Sequence, residues 1–261
     1  MPRHHWYRFL FLLIVVVLLL CAVRSVGQTQ AEPAQAATVS VEDLVAQGDA
    51  LRLHHDYSGA LACFRAASRR APKDARLWNR MGMVELQLNQ LGDAESDFDH
   101  AIKLDRKYAQ AYNNLGVTFY LGKNYKKAIR QYERALKLDE TVASFHNNLA
   151  AAYFSRKEMD KAGQEYTRAL QLDPEIFRSA GGVSETAQMR SPEERAQYNY
   201  MVAQLYARSG KVDDALEFLR KAVEEGYKDT SKIQRDAAFA SLREDPRFAQ
   251  IVKHPQADLM K

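Results

Sequence analysis

Residues 109–142 read AQAYNNLGVTFYLGKNYKKAIRQYERALKLDETV, and this stretch decides the fold. Tyr112, Leu115, Phe119 and Tyr120 recur at helical spacing, Gly122-Lys123-Asn124 interrupts, and Ala128, Ile129, Tyr132, Ala135 and Leu136 resume the same period. The stretch is therefore two helices joined by a short turn. It is also one of four in-phase copies, which begin at Val41, Ala75, Ala109 and Ala143. The eighth position reads Gly48, Gly82, Gly116 and Ala150, and the twentieth reads Ala60, Ala94, Ala128 and Ala162. The twenty-fourth reads Phe64, Phe98, Tyr132 and Tyr166. Small residues let two helix axes approach, and the large ones fill the wedge between one pair and the next. A single hairpin of this kind cannot bury its own apolar side, so neighbouring copies must stack. The expectation is an all-α, right-handed α-solenoid of antiparallel helix pairs.

The same positions carry a resemblance. The frame Trp-x-x-Leu-Gly-x-x-Tyr…Ala-x-x-x-Phe-x-x-Ala…Pro falls on Trp78, Met81, Gly82, Glu85, Ala94, Phe98 and Ala101. It falls again on Tyr112, Leu115, Gly116, Phe119, Ala128, Tyr132 and Ala135, and on His146, Leu149, Ala150, Tyr153, Ala162, Tyr166, Ala169 and Pro174. The chain resembles a tetratricopeptide repeat protein of the bacterial exported or membrane-anchored type. Glu85 departs from the aromatic residue of that frame, and Gln47 departs from its apolar one.

Upstream, Arg3 and Arg8 precede the uninterrupted apolar run 9–23. A helix of that length reaches roughly 22 Å at about 1.5 Å per residue, short of a hydrocarbon core of roughly 30 Å. Residues 1–24 read as a signal peptide or an uncleaved signal anchor. Either form sends the repeats across the cytoplasmic membrane, to the periplasm, the exterior or the outer side of an anchor. Residues 25–40 hold Gln, Ala and Thr without apolar periodicity and read as a flexible linker.

Repeats at 41–74, 75–108, 109–142 and 143–176 follow. Helix B of the fourth is expected to end near Ala180, and 177–195 is a connector in which Ser191-Pro192-Glu193-Glu194 opens an extended helix. A fifth copy at 196–229 shows Val202, Ala203, Tyr206, Gly210, Ala215, Leu219 and Ala222. One or two capping helices over 230–254 are expected to cover it, one with Ile233, Phe239 and Leu242, a second opened by Asp245-Pro246.

Chemistry is sparse. Arg3, Arg8 and Arg24 against Glu32 give the first 40 residues +2 of the formal +4, so the repeats carry no footprint for nucleic acid. Cys63 reads as a small core residue, His54-His55 as a solvated turn, and His146 as a wedge residue. No phosphate loop, paired-cysteine spacing or nucleophile elbow is present. The reading is a chain without catalytic residues, metal or cofactor.

In the geometry that the resemblance implies, helix A lines a groove. The groove residues are then Arg76, Asn79, Arg80, Asn113, Asn114, Val117, Tyr120, Asn147, Asn148 and Phe154. Asparagine is a mediocre residue in mid-helix, and its amide offers a donor and an acceptor that suit a peptide backbone. Two roles stay open for it: holding an extended ligand, or bonding between repeats. Some relatives clamp a terminal carboxylate with Lys and Asn; Val45 and Asp49 stand at the corresponding positions here. The function expected is a scaffold that binds a protein or peptide partner. The alternative is an accessory subunit of, or enzyme within, an envelope biogenesis machinery. No non-repeat region large enough for its own domain favours that alternative.

Overall fold

The computed structural model describes residues 39–178 and 191–253. The expectations for the leader, most of the linker and the centre of the connector fall outside them. Residues 1–43 and 44–261 form separate units. Of the first, only 39–43 are described, where Ser40 Oγ accepts from the Asp43 N–H and its own N–H reaches the Asp43 carboxylate.

Eight helices make four consecutive pairs: α1 (Val41–Leu53) and α2 (Tyr57–Arg70), α3 (Ala75–Gln87) and α4 (Leu91–Leu104), α5 (Ala109–Leu121) and α6 (Tyr125–Leu138), α7 (Ala143–Ser155) and α8 (Met159–Leu172). A fifth pair follows, α9 (Pro192–Arg208) and α10 (Val212–Glu224). Among the described residues there is no strand. From α2 onward, helices pack with their pair partner and with the next helix along the chain, and successive first helices also approach each other, α3 with α5 and α5 with α7; α1 meets α2 where Gly48 faces Phe64. This is the expected all-α solenoid.

The pairing has a steric cause. A Cβ built on Gly48, Gly82 or Gly116 would meet the ring at position twenty-four at 2.6, 2.8 and 2.5 Å respectively. The missing side chain therefore seats Phe64, Phe98 or Tyr132 against the backbone of the first helix. Ala60, Ala94, Ala128 and Ala162 are fully buried on the facing second helices.

Each A-to-B turn places one residue in the left-handed region: His55, Asn89, Lys123 and Lys157, with φ between 58° and 62°. The fifth turn uses Gly210, the residue that adopts this conformation without a Cβ clash. Cys63, expected in the core, is half-buried on α2.

Helix α8 ends at Leu172, with Asp173 as its cap, rather than near Ala180. The chain then turns, and Ile176 and Phe177 are buried. Phe177 packs edge-on between Tyr166 at 5.6 Å and Tyr206 at 5.9 Å. It thus links the fourth repeat to the fifth. Ser191 Oγ accepts from the Glu194 N–H and caps α9, with Pro192 in the first turn.

Beyond Gly226 there are three short helices where one or two were expected: α11 (Thr230–Arg235), a 3₁₀ turn (Ala237–Leu242) and α12 (Pro246–Lys253). Asp236 makes the extra break. Its backbone is extended, and its carboxylate accepts from the Ala238 N–H, the Tyr200 hydroxyl and the Gln204 amide. The 3₁₀ turn packs on α9 and α12 on α10. Ile233, Phe239 and Leu242 are fully buried there.

Candidate functional site

The candidate site is the row of side chains on the first helices α3, α5 and α7. Asparagine at the fifth and sixth positions forms a ladder from one repeat to the next. Asn114 Nδ2 donates to Asn79 Oδ1 at 2.9 Å, and Asn148 Nδ2 donates to Asn113 Oδ1 at 2.9 Å. Gln110 Nε2 and Asn113 Nδ2 both donate to Asn114 Oδ1, at 3.2 and 3.3 Å. The rule is simple: the sixth-position amide donates to the fifth-position carbonyl of the preceding repeat. Asn79, Asn113, Asn114 and Asn147 are buried, while Asn148 keeps part of its surface open. Of the two roles that the sequence leaves open for these amides, bonding between repeats is seen for Asn79, Asn113, Asn114 and Asn148.

The remaining expected residues separate. Val117 and Tyr120 are half-buried on α5. The Tyr120 hydroxyl lies 3.1 Å from Ser155 Oγ on α7, and its ring is 5.3 Å from that of Tyr125. Phe154 does not line the row. It is buried and meets Tyr198 of α9 edge-on at 6.1 Å.

Arg76 and Arg80, expected in the groove, both have acids of their own chain. Arg76 Nε lies 3.1 Å from Asp74 Oδ1, and that hydrogen bond holds the Asp74 carboxyl below its usual range. Arg80 Nε lies 3.3 Å from Asp49 Oδ2, so it ties the second repeat to the first.

Sequence reasoning passed over a cluster on the far side of α3. Glu85 replaces the aromatic residue of the frame and is 2% exposed. Arg65 Nη2 reaches its Oε1 at 3.2 Å. Glu85 Oε2 and Asp97 Oδ2 are both buried with no donor among the described residues. They interact with each other, and two carboxylates can hydrogen-bond only through a proton that one of them keeps. Burial, reinforced by the Glu85 charge, pushes the Asp97 carboxyl up to about 7. Burial also raises Glu85, against the pull of Arg65. The sequence signal was present in Glu85 itself, a carboxylate at a position that holds Phe119 and Tyr153 in other copies.

Among the described residues no group of three His, Cys, Asp or Glu could hold a metal ion. His54 and His55 are exposed. His146 is buried, with Nε2 donating to the Glu140 carbonyl at 3.0 Å and Nδ1 2.7 Å from the Glu165 carboxylate. No helix of the described residues is long and apolar enough to cross a membrane.

Three tetratricopeptide repeat models match the chain, over residues 73–141, 120–175 and 196–225. No curated protein matches it in sequence. Among solved structures, a thermophilic repeat protein from Thermus thermophilus gives a TM-score of 0.51 at 21% identity, over 75% of this chain and 96% of that one. A MamA protein from Desulfovibrio magneticus gives 0.51 at 18% identity, over 75% of this chain and 97% of that one. At these identities the likeness is one of fold.

Proposed function

The chain belongs to the tetratricopeptide repeat family, whose models together cover just over half of it, and on that premise we propose that it is a non-catalytic scaffold holding an extended segment of a partner protein along α3, α5 and α7. One observation carries this reading. Met83, Val117 and Tyr120 are half-buried apolar side chains on successive first helices, beside the amide ladder. The ladder fixes the spacing of the row, so the surface is preorganised and binding need not order it. Apolar contact at Val117 and Tyr120 then supplies affinity, with Asn148 and the exposed Gln110 and Ser144 at the edge.

A photo-crosslinking residue at Val117 tests this in an envelope extract. It is expected to capture a partner that the same residue at Thr167, exposed on α8, does not. The captured partner's affinity should drop about tenfold in Tyr120→Ala, a change of about 1.4 kcal/mol. Equal capture at both positions, or none at Val117, moves the binding surface elsewhere.

Export belongs to the same proposal. The basic start and the apolar run 9–23 support passage of the repeats across the cytoplasmic membrane. Alkaline phosphatase fused after Gln35 should be active, and an inactive fusion rejects export. The intact mass of the mature protein distinguishes a removed leader from a retained anchor.

A further inference from the structure

The third repeat carries a charge pattern that the other copies lack. On α6 the exposed side chains Lys126, Arg130, Arg134 and Lys137 are spaced four, four and three residues apart. They share one face of the helix and form a row about 16 Å long at about 1.5 Å per residue. The equivalent positions hold Ser58, Ala62, Ala66 and Arg69 on α2, and Gly92, Ser96, His100 and Lys103 on α4. On α8 they hold Asp160, Gln164, Arg168 and Gln171. The same helix pair is thus built three more times with mostly uncharged residues there, so the fold does not require the cations.

Nor does the chain neutralise them. Arg134 reaches the Gln131 amide at 3.4 Å, and among the described residues none of the four forms an ion pair. The single acid of α6, Glu133, accepts from the Tyr153 hydroxyl at 3.1 Å. Next to the row, Lys127 sits over the Phe119 ring, 4.8 Å from its centre. Like charges one turn apart on a helix repel, and within the described residues only the Arg134–Gln131 bond and the place of Lys137 in the last turn of α6 offset this.

We propose that this row docks an acidic segment of a protein partner, laid lengthwise along α6. Its cations stand about 5–6 Å apart, one per turn, which matches one carboxylate per turn of a partner helix. The flanking repeats decide against a broad anionic surface. Asp93 and Asp160 are exposed at the positions equivalent to Lys127 and Lys126, and Glu95 and Asp99 are half-buried on α4. A bilayer or a nucleic-acid backbone lying across several repeats meets these carboxylates, whereas a segment confined to α6 avoids them. The row lies on a second helix, apart from the first-helix row proposed for the extended ligand, so either can fail without the other.

The test is fluorescence anisotropy of a labelled oligoglutamate peptide against the full chain at low and physiological salt. The variant Lys126→Gln/Arg130→Gln/Arg134→Gln should weaken binding at least about tenfold, and added salt should narrow the difference. The variant Lys73→Gln/Lys107→Gln/Lys157→Gln removes the same charge from exposed positions elsewhere, and should change affinity less than about twofold. Glutamine is a good helix former, and melts confirm folding; the single Arg130→Gln change stands in if the triple variant melts early. Equal weakening in both triple variants means diffuse attraction by net charge and overturns the proposal. So does row-dependent binding of phosphatidylserine vesicles or oligothymidylate that is tighter than that of the peptide.

Discussion

A Cβ on Gly116 would lie 2.5 Å from the Tyr132 ring, so any larger residue there must displace the ring or separate α5 from α6. Gly116→Leu should destabilise the chain by about 3 kcal/mol, at the upper end for overpacking, and chemical denaturation measures it. The asparagines behave differently, because their neighbours depend on them. Changing Asn114 and Asn148 to Ala improves helix propensity but strips the donors from Asn79 Oδ1 and Asn113 Oδ1. Each acceptor left buried costs about 1–3 kcal/mol, so the double variant should melt earlier. An unchanged melting point would show the ladder to be dispensable. The buried carboxyl pair makes stability depend on pH. Asp97 titrates at about 7 in the folded chain and near 3.9 when unfolded. The folded state therefore holds the extra proton between those values, and stability falls as the pH rises through that window. Tm should be higher at pH 5.5 than at pH 8, and Asp97→Asn should flatten this slope while raising Tm chiefly at the alkaline end. A slope unchanged in the variant would place the titration on another group.

At the scale of the helix, one position shows how the copies differ. Leu61 and Ile129 are buried on α2 and α6, and the equivalent residue on α8 is Gly163. A Cβ there would meet nothing within 4 Å, and the glycine opens onto a cleft of about 560 Å³ lined by Met159, Met201 and Leu205. With no contact to relieve, this glycine only weakens the helix, and Gly163→Ala should stabilise the chain by about 1 kcal/mol. A melt no higher than that of the parent would mean that the space is used. The helices themselves were legible, because their apolar period and their small residues recur every 34 positions: α1, α3, α5 and α7 begin at Val41, Ala75, Ala109 and Ala143. What the amides bond to was not legible. Periodicity shows that Asn79 and Asn113 occupy one place in the repeat, but their partners Asn114 and Asn148 lie 35 residues away in another helix. Phe154 failed for a related reason. Its neighbour Tyr198 lies in the repeat that follows the connector, where the phase that located the helices is broken. The extra helix break at Asp236 likewise depends on Tyr200 and Gln204, more than thirty residues upstream.

Over the whole array, stability is local, because each pair of helices contacts chiefly its neighbours along the chain. The last pair has none beyond it, and the segment after Gly226 takes that place. Ile233, Phe239 and Leu242 are fully buried, Phe248 and Val252 nearly so. Arg247 Nη1 lies 2.8 Å from Asp213 Oδ1, and Asp236 holds Tyr200 and Gln204. Removing residues 227–261 would expose the apolar sides of α9 and α10 while leaving the contacts among α5, α6, α7 and α8 untouched. Hydrogen exchange should then show protection lost across α9 and α10 and retained across α5 to α8, since local openings follow the loss of local burial. Phe239→Ala should give a weaker version of the same pattern, because one fully buried ring contributes about 3–5 kcal/mol and the rest of the cap stays in place. Uniform loss of protection along the chain would mean that the array unfolds as a single cooperative unit. The connector around Phe177 would then couple the fourth and fifth repeats as tightly as the regular stack couples the rest, through its ring contacts to Tyr166 and Tyr206.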